Sequence, residues 1–224
     1  MKVFSFSIYG DDKKYLLGLL KNIEIIREHY PDFHIFIYAD KNLNEEYKKK
    51  YQSYDNVKYM EFERENHSLM CNRFFAIDDD EVEVAFIRDA DSRIHERDRW
   101  CINEFLKSDK LFHIIRDHRN HAMRIMGGMW GIKKDCLDIN ISDLHDFWFK
   151  KNKTETIYRS DQNFLTDHIY PLIKNICLIH SSLMFFSDET ISSIKFELNK
   201  EKTNFVGNVV LFDKNDNEYF EFIY

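Results

Sequence analysis

The chain has 224 residues, 44% of them apolar, and 32 Lys and Arg against 39 Asp and Glu give a net charge of -7. An acidic chain lacks the positive face that general nucleic-acid binding needs, and no apolar run is long enough to span a bilayer. The length suits one α/β domain over residues 1–224.

In chain order, residues 3–9 form a short β-rich run. Residues 13–29 carry Tyr15, Leu16, Leu19, Leu20, Ile23 and Ile26 at helical spacing, and Pro31 marks the restart. Residues 33–39 predict a second strand, 43–54 a polar surface helix and 57–62 a third strand. Residues 68–77 predict a helix, Asp78-Asp79-Asp80 a solvated acidic loop, and 84–87 a fourth, wholly apolar strand. Strands alternating with helices imply βαβ units and a mostly parallel sheet, whose ligands lie beyond the carboxyl ends of the strands. Further on, residues 98–106 read as a helix, 111–115 and 127–132 as strands, 144–150 and 160–169 as helices, and 176–180 as a strand. Residues 206–212 and 219–224 flank a turn-rich stretch and predict a hairpin of unassigned role. Met1-Lys2-Val3-Phe4 enters a strand pattern with no small-residue cleavage site, so no secretory signal is expected. Cys71, Cys101, Cys136 and Cys177 form no C-x-x-C pair and read as reduced thiols of a cytoplasmic protein.

The chemistry centres on Phe86-Ile87-Arg88-Asp89-Ala90-Asp91-Ser92-Arg93. Asp is roughly one residue in ten, so chance alone gives about two D-x-D triplets. Asp89 and Asp91 stand apart because they follow a buried strand directly, at the ligand-binding edge. A spacing of two puts both carboxylates on one side of an extended backbone. At 4 Å two such charges repel by about 4 kcal/mol if the effective dielectric is near 20. Mn²⁺ or Mg²⁺, which take oxygen ligands together with substrate phosphates, would remove that cost. The plainer alternative is a pair of solvated acids, or acids bridged to Arg88 and Arg93. The mid-chain position and Ser92 speak against a haloacid-dehalogenase-type phosphatase, and a non-catalytic binder is the remaining alternative. His113, His118 and His121 lack a Cys or acid at zinc-ligand spacing.

An apolar strand running into D-x-D resembles the metal motif of GT-A-fold glycosyltransferases. With Phe112-His113-Ile114-Ile115-Arg116-Asp117-His118 and Gly127-Gly128-Met129-Trp130-Gly131, the chain is similar to a subgroup of these enzymes found in bacteria and large DNA viruses, including capsid-glycan enzymes. The resemblance implies a GT-A-like, mostly parallel sheet flanked by helices. It implies transfer of a sugar from a nucleotide-diphosphate donor, a UDP-sugar by preference, to an acceptor hydroxyl, in the cytoplasm or, for a virus, the host cytoplasm. The implied donor contacts are Ser7, Ile8, Tyr9, Gly10, Asp40, Arg73, Asp89, Ala90, Gly127 and Gly128. The bland readings are packing for Tyr9, a helix cap for Asp40, a surface ion pair for Arg73 and a bulge for the glycines. Asp117, His118 and Trp130 are the implied acceptor contacts, with core burial the alternative for Trp130. Asp161 and Gln162, after a possible Ser160 N-cap, would face the reacting carbon, retention being favoured over inversion. A capping-box role is the alternative for Asp161. His180 would join Asp89 and Asp91 on the metal, or be merely structural. The family's later H-x-x-G-x-x-K pattern is absent.

Overall fold

A computed structural model describes residues 1–63, 69–151, 159–182, 186–189, 193–195 and 205–220. The apolar run Lys2–Ile8 forms β1, buried on both faces. Asp12 caps α1 (Lys13–His29) by accepting from the Lys14 N–H, and α1 buries the stripe Leu16, Leu19, Ile23 and Ile26. There follow β2 (Phe33–Asp40), α2 (Glu45–Gln52) and β3 (Val57–Phe62). The helix expected over 68–77 is α3 (Leu69–Asn72) running into a 3-10 turn, Arg73–Asp78, with Ser68 outside the described residues. Next come β4 (Val84–Arg88), α4 (Glu96–Lys107), β5 (Phe112–Arg116), β6 (Met129–Lys133) and α5 (Ile141–Lys151). The helix expected over 160–169 is α6 (Ser160–Phe164), which widens into a π-helical turn, Leu165–Ile169, and continues as α7 (Tyr170–Ile173). The chain closes with β7 (Cys177–Ser181), the unforeseen short strand β8 (Ser193–Lys195), and the expected hairpin of β9 (Val210–Phe212) and β10 (Glu218–Phe220). The last part of that expected hairpin, 221–224, lies outside the described residues.

The eight-stranded sheet runs β3-β2-β1-β4-β6-β5-β7-β8. All its pairings are parallel except those of β6, which is antiparallel to β4 and β5. This exception builds the site. With Arg88 opposite Met129, β6 begins where β4 ends, and the residues before β6 meet those after β4. One core layer packs α1 against Phe4, Phe6, Ile35 and Phe86. The other packs the 3-10 turn and α5 to α7 against Phe36, Phe112 and Trp130. Asp78 is half-buried and tied down: its carboxylate accepts from the Ile141 and Ser142 N–H groups at the start of α5. None of the described helices is long and apolar enough to cross a membrane.

Between β5 and β7, His113 Nε2 and His180 Nδ1 lie 2.9 Å apart and both residues are fully buried. Burial pushes His180 down to about 4 and holds His113 well below the usual imidazole range. The unfolded chain titrates near the ordinary value of about 6.5. Below that pH the unfolded state takes up protons the folded state refuses. The stability carried by this pair is therefore complete above about 6.5 and lost as pH falls further. Chemical denaturation at pH 5 should find about 2 kcal/mol less from His180 than at neutral pH. The gap should shrink by that amount in His180→Leu; an undiminished gap would clear His180 of the effect.

Candidate active site

A cleft of about 360 Å³ opens at the carboxyl edge of the sheet, over the ends of β1 and β4 and the start of β6. A larger hollow of about 560 Å³ lies at the opposite edge, bordered by Lys133, Lys134 and Asp138, away from these carboxylates.

The backbone around D-x-D is held from both sides. The Arg88 guanidinium is buried and donates twice to Asp98, at 2.8 Å each, which anchors the end of β4 to α4. On the other side α1 clamps the loop. A Cβ on Gly18 would come 2.3 Å from the Ala90 carbonyl oxygen. Fully buried Asn22 donates to the Ser92 carbonyl at 2.8 Å and accepts from the Ile94 N–H at 3.3 Å. Asp91 is left beside Asp89 with no ion pair or side-chain hydrogen bond to another described residue. Burial and the neighbouring Asp89 charge push its carboxyl up to about 6, against the pull of Lys14.

Arg73 is set by two β1 hydroxyls. Ser5 donates to the Arg73 carbonyl at 2.7 Å; Ser7 donates to the Leu69 carbonyl at 2.7 Å and accepts from the Arg73 N–H at 3.1 Å. The guanidinium then bridges two acids, with Asp89 at 2.6 Å and Asp161 at 3.4 Å. Burial works against its charge, but Asp89 and Asp161 outweigh it and hold Arg73 protonated. Asp161 lies in the first turn of α6. Burial raises its carboxyl above the usual range, Arg73 opposes this and Asp89 adds to it. The residue flanking α6 is Arg159, in the left-handed region at φ 77°, and Ser160 is the first helical residue, not the N-cap.

Gly127 and Gly128 press against these acids. A Cβ on Gly127 would stand 2.3 Å from Asp161 Oδ2, and one on Gly128 2.2 Å from Asp89 Oδ2. The tail supplies another wall. The Val210 N–H donates to the Asp91 carbonyl at 2.8 Å, Val209 bridges Ser92, and Arg93 pairs with Glu218 at 2.9 Å. Gly207, at φ 82° and packed on Met129, lines the cleft with Val209.

The cleft thus gathers Ser7, Ile8, Tyr9, Arg73, Asp89, Ala90, Asp91, Gly127, Asp161 and Gln162, with Gly128 behind Asp89. Gly10 forms the turn after β1 at φ 77°. Other expectations are corrected. Trp130 is no acceptor platform: it is fully buried, stacked on Phe112, and donates its indole N–H to the Gly127 carbonyl at 3.2 Å. The Asp117 carboxylate is buried and spent on Arg97 and the Val206 N–H; half-buried His118 stacks on Phe205 at 4.2 Å, which leaves its expected acceptor contact open. His180 pairs with His113 and packs edge-on against Trp100, so it does not join the D-x-D acids. Asp40 accepts from the Asn42 N–H in the turn after β2, is not a helix cap, since Asn44 caps α2, and does not line the cleft. Residues with no expected site role also line it, among them Tyr15, Asn120, His121, Met126 and Met129; Tyr15 belongs to the helical stripe, Met129 to the glycine motif and His121 to the histidine set that lacks zinc spacing.

The paired acids fit a divalent ion. Two carboxylates of like charge sit together, and one of them has no cationic partner among the described residues. No three His, Cys, Asp or Glu side chains converge among the described residues, so such an ion would take its remaining ligands from substrate oxygens and water.

No protein-family model matches the chain, and no curated protein matches it in sequence. Its structure has the GT-A fold of glycosyltransferases. It is similar to a glycosyltransferase involved in glycosylation of the major capsid of PBCV-1, with TM-score 0.50 and 15% identity, covering 80% of this chain and 81% of that one. It is similar to galactosyltransferase LgtC, solved with donor and acceptor sugar analogs, with TM-score 0.57 and 12% identity over 81% and 74%. It is also similar to glycosyltransferase GlyE of Streptococcus pneumoniae TIGR4, with TM-score 0.52 and 13% identity over 86% and 44%.

Proposed function

We propose that residues 1–224 act as one metal-dependent glycosyltransferase unit, moving a sugar from a nucleoside-diphosphate sugar, by preference a UDP-sugar, to a hydroxyl of a glycan or other acceptor. The observation that carries this reading is the convergence of Asp89, Asp91, Arg73 and Asp161 in one cleft at the carboxyl edge of a GT-A sheet. The likeness to a galactosyltransferase solved with donor and acceptor analogs supports it.

Asp89 and Asp91 hold Mn²⁺ or Mg²⁺. When bound, the ion supplies Lewis-acid stabilisation of charge on the departing diphosphate. Ser7, Ile8, Tyr9 and Gly10 receive the nucleoside end. Ala90, Gly127 and Gly128 let the donor approach the backbone closely. Arg73 offers fixed positive charge to the anionic donor and partly offsets the upward push of burial on the Asp161 carboxyl. Asp161 and Gln162 face the reacting carbon. A carboxylate fixed beside a guanidinium is a good electrostatic partner for a cationic sugar, and on that ground we propose retention.

The test is thermal melting with nucleotide sugars, with and without Mn²⁺, followed by assay of donor hydrolysis. A ligand at about 100 times its Kd adds about 2.7 kcal/mol, which for a chain of this size raises Tm by on the order of 5–10 °C. The rise should require Mn²⁺ and come with slow donor hydrolysis. No response to any nucleotide sugar, with turnover of simple phosphate esters, would make this a phosphatase. A metal-dependent rise with no hydrolysis or transfer would make it a binding module.

A further inference from the structure

His121 is the imidazole that the cleft leaves unexplained. It sits in the β5–β6 connection, is 7% exposed, and borders the cleft beside Asn120. Its Nδ1 accepts the backbone N–H of Asp117 at 3.1 Å. A neutral ring that accepts at Nδ1 carries its proton on Nε2. Burial, aided by His118, pushes its pKa down to about 3, so the ring is neutral throughout the physiological range. Among the described residues nothing accepts from Nε2–H.

The ring is also fixed in place. Phe205 meets it edge-on at 5.6 Å and His118 does so at 5.7 Å, while the His121 N–H donates to the His118 carbonyl at 2.8 Å. Asp117, which presents the N–H to Nδ1, is itself locked by Arg97 and by the Val206 N–H. A neutral, clamped N–H donor of this kind is suited to an uncharged oxygen. Met126 and Met129 flank the same wall with apolar surface, and apolar surface with a few placed donors is the usual composition of a small-ligand site.

The sheet order says which part of the substrate lies there. Tyr9 follows β1, Asp89 and Asp91 follow β4, Gly127 precedes β6, and His121 lies in the loop between β5 and β6; these strands are neighbours in the order β1-β4-β6-β5. A donor with its nucleoside over β1 and its diphosphate over β4 directs its sugar toward β6. On the donor placement proposed above, His121 would stand on the far side of that sugar.

We propose that His121 is an acceptor-recognition residue whose Nε2–H donates to a hydroxyl or ring oxygen of a neutral saccharide acceptor. This rests on the glycosyl-transfer reading above. The test compares the wild type with His121→Phe and His121→Gln, using the active UDP-sugar and Mn²⁺. The acceptors are a panel of p-nitrophenyl α- and β-glycosides of the common neutral monosaccharides, and donor hydrolysis is followed in parallel. Melting curves verify that each variant is folded. His121→Phe should lower the ratio of transfer to hydrolysis about tenfold, chiefly through acceptor KM, as loss of one hydrogen bond requires. His121→Gln, which keeps an N–H donor, should recover most of that loss. Transfer and hydrolysis falling together, an unchanged ratio, or no rescue by Gln would overturn the assignment. So would a wild type that hydrolyses donor but uses none of the neutral glycosides. A wild type inert toward every nucleotide sugar would instead defeat the glycosyl-transfer reading itself.

Discussion

Asp91→Ala is expected to lower sugar transfer by about 10³-fold while leaving the melting temperature unchanged or higher. The two halves of this result have different causes. In the proposed function Asp91 is one of two protein carboxylates for the ion, and Lewis-acid stabilisation of a leaving group is worth several kcal/mol. At 1.36 kcal/mol per tenfold in rate, a loss of about 4 kcal/mol is about 10³-fold. Stability responds differently because the Asp91 carboxylate bonds to no other described side chain, while burial and the Asp89 charge both oppose its ionised form. Its removal relieves that opposition. The contacts that hold the loop, from Asn22 to Ser92 and Ile94 and from Val210 to the Asp91 carbonyl, do not involve the carboxylate. Asp91→Ala is the cleaner of the two possible variants, since Asp89→Ala would also free Arg73 from its 2.6 Å partner. Steady-state rates across a Mn²⁺ titration, with melts in parallel, provide the measurement. Full activity in the variant, or activity of the wild type indifferent to chelator, would remove the metal from the mechanism.

The legible parts of this protein were those a single element declares about itself. Apolar runs of strand length and the stripe of α1 gave the alternation of strands and helices, and with it the edge where Asp89 and Asp91 lie. The glycine pair stood out in a chain with only 6 glycines. What stayed hidden depends on partners. The direction of β6 is set by where its connections run, and its own residues are equally suited to either pairing. Trp130 looked like a platform because a tryptophan near glycines does not reveal whether its face is covered; here Phe74 and Phe112 cover it. His180 ends an apolar strand next to the right edge, yet its ring turns to His113 and Trp100. The Gly18–Asn22 clamp was concealed inside a helix whose apolar spacing already had an explanation. The sequence leaves the role of the tail hairpin unassigned because most of it lies in backbone bonds to Asp91 and Ser92, which carry no residue signature.

Gly128→Ala should cost about 10²-fold in turnover with little change in Tm. Neither Gly127 nor Gly128 has positive φ, so alanine meets no backbone strain. In such a position it gains about 0.4–1 kcal/mol by restricting the unfolded chain. The penalty is local: the new Cβ would lie 2.2 Å from Asp89 Oδ2 and 2.3 Å from its Cγ, so the carboxylate must turn or the loop must withdraw by about 1 Å. A misplacement of that size is enough for about 10²-fold in rate. A small turn of the part-exposed Asp89 carboxylate lengthens its pair with Arg73, which keeps Asp161 as its second partner. Gly127→Ala makes the complementary perturbation, since its Cβ would meet Asp161 Oδ2 at 2.3 Å. If the roles are as proposed, Gly128→Ala raises the Mn²⁺ concentration needed for activity, whereas Gly127→Ala lowers turnover at saturating Mn²⁺. A shared loss of Tm would mean that the glycines serve only the packing of β6. Identical Mn²⁺ curves in the two variants would deny that Asp89 and Asp161 have separate tasks.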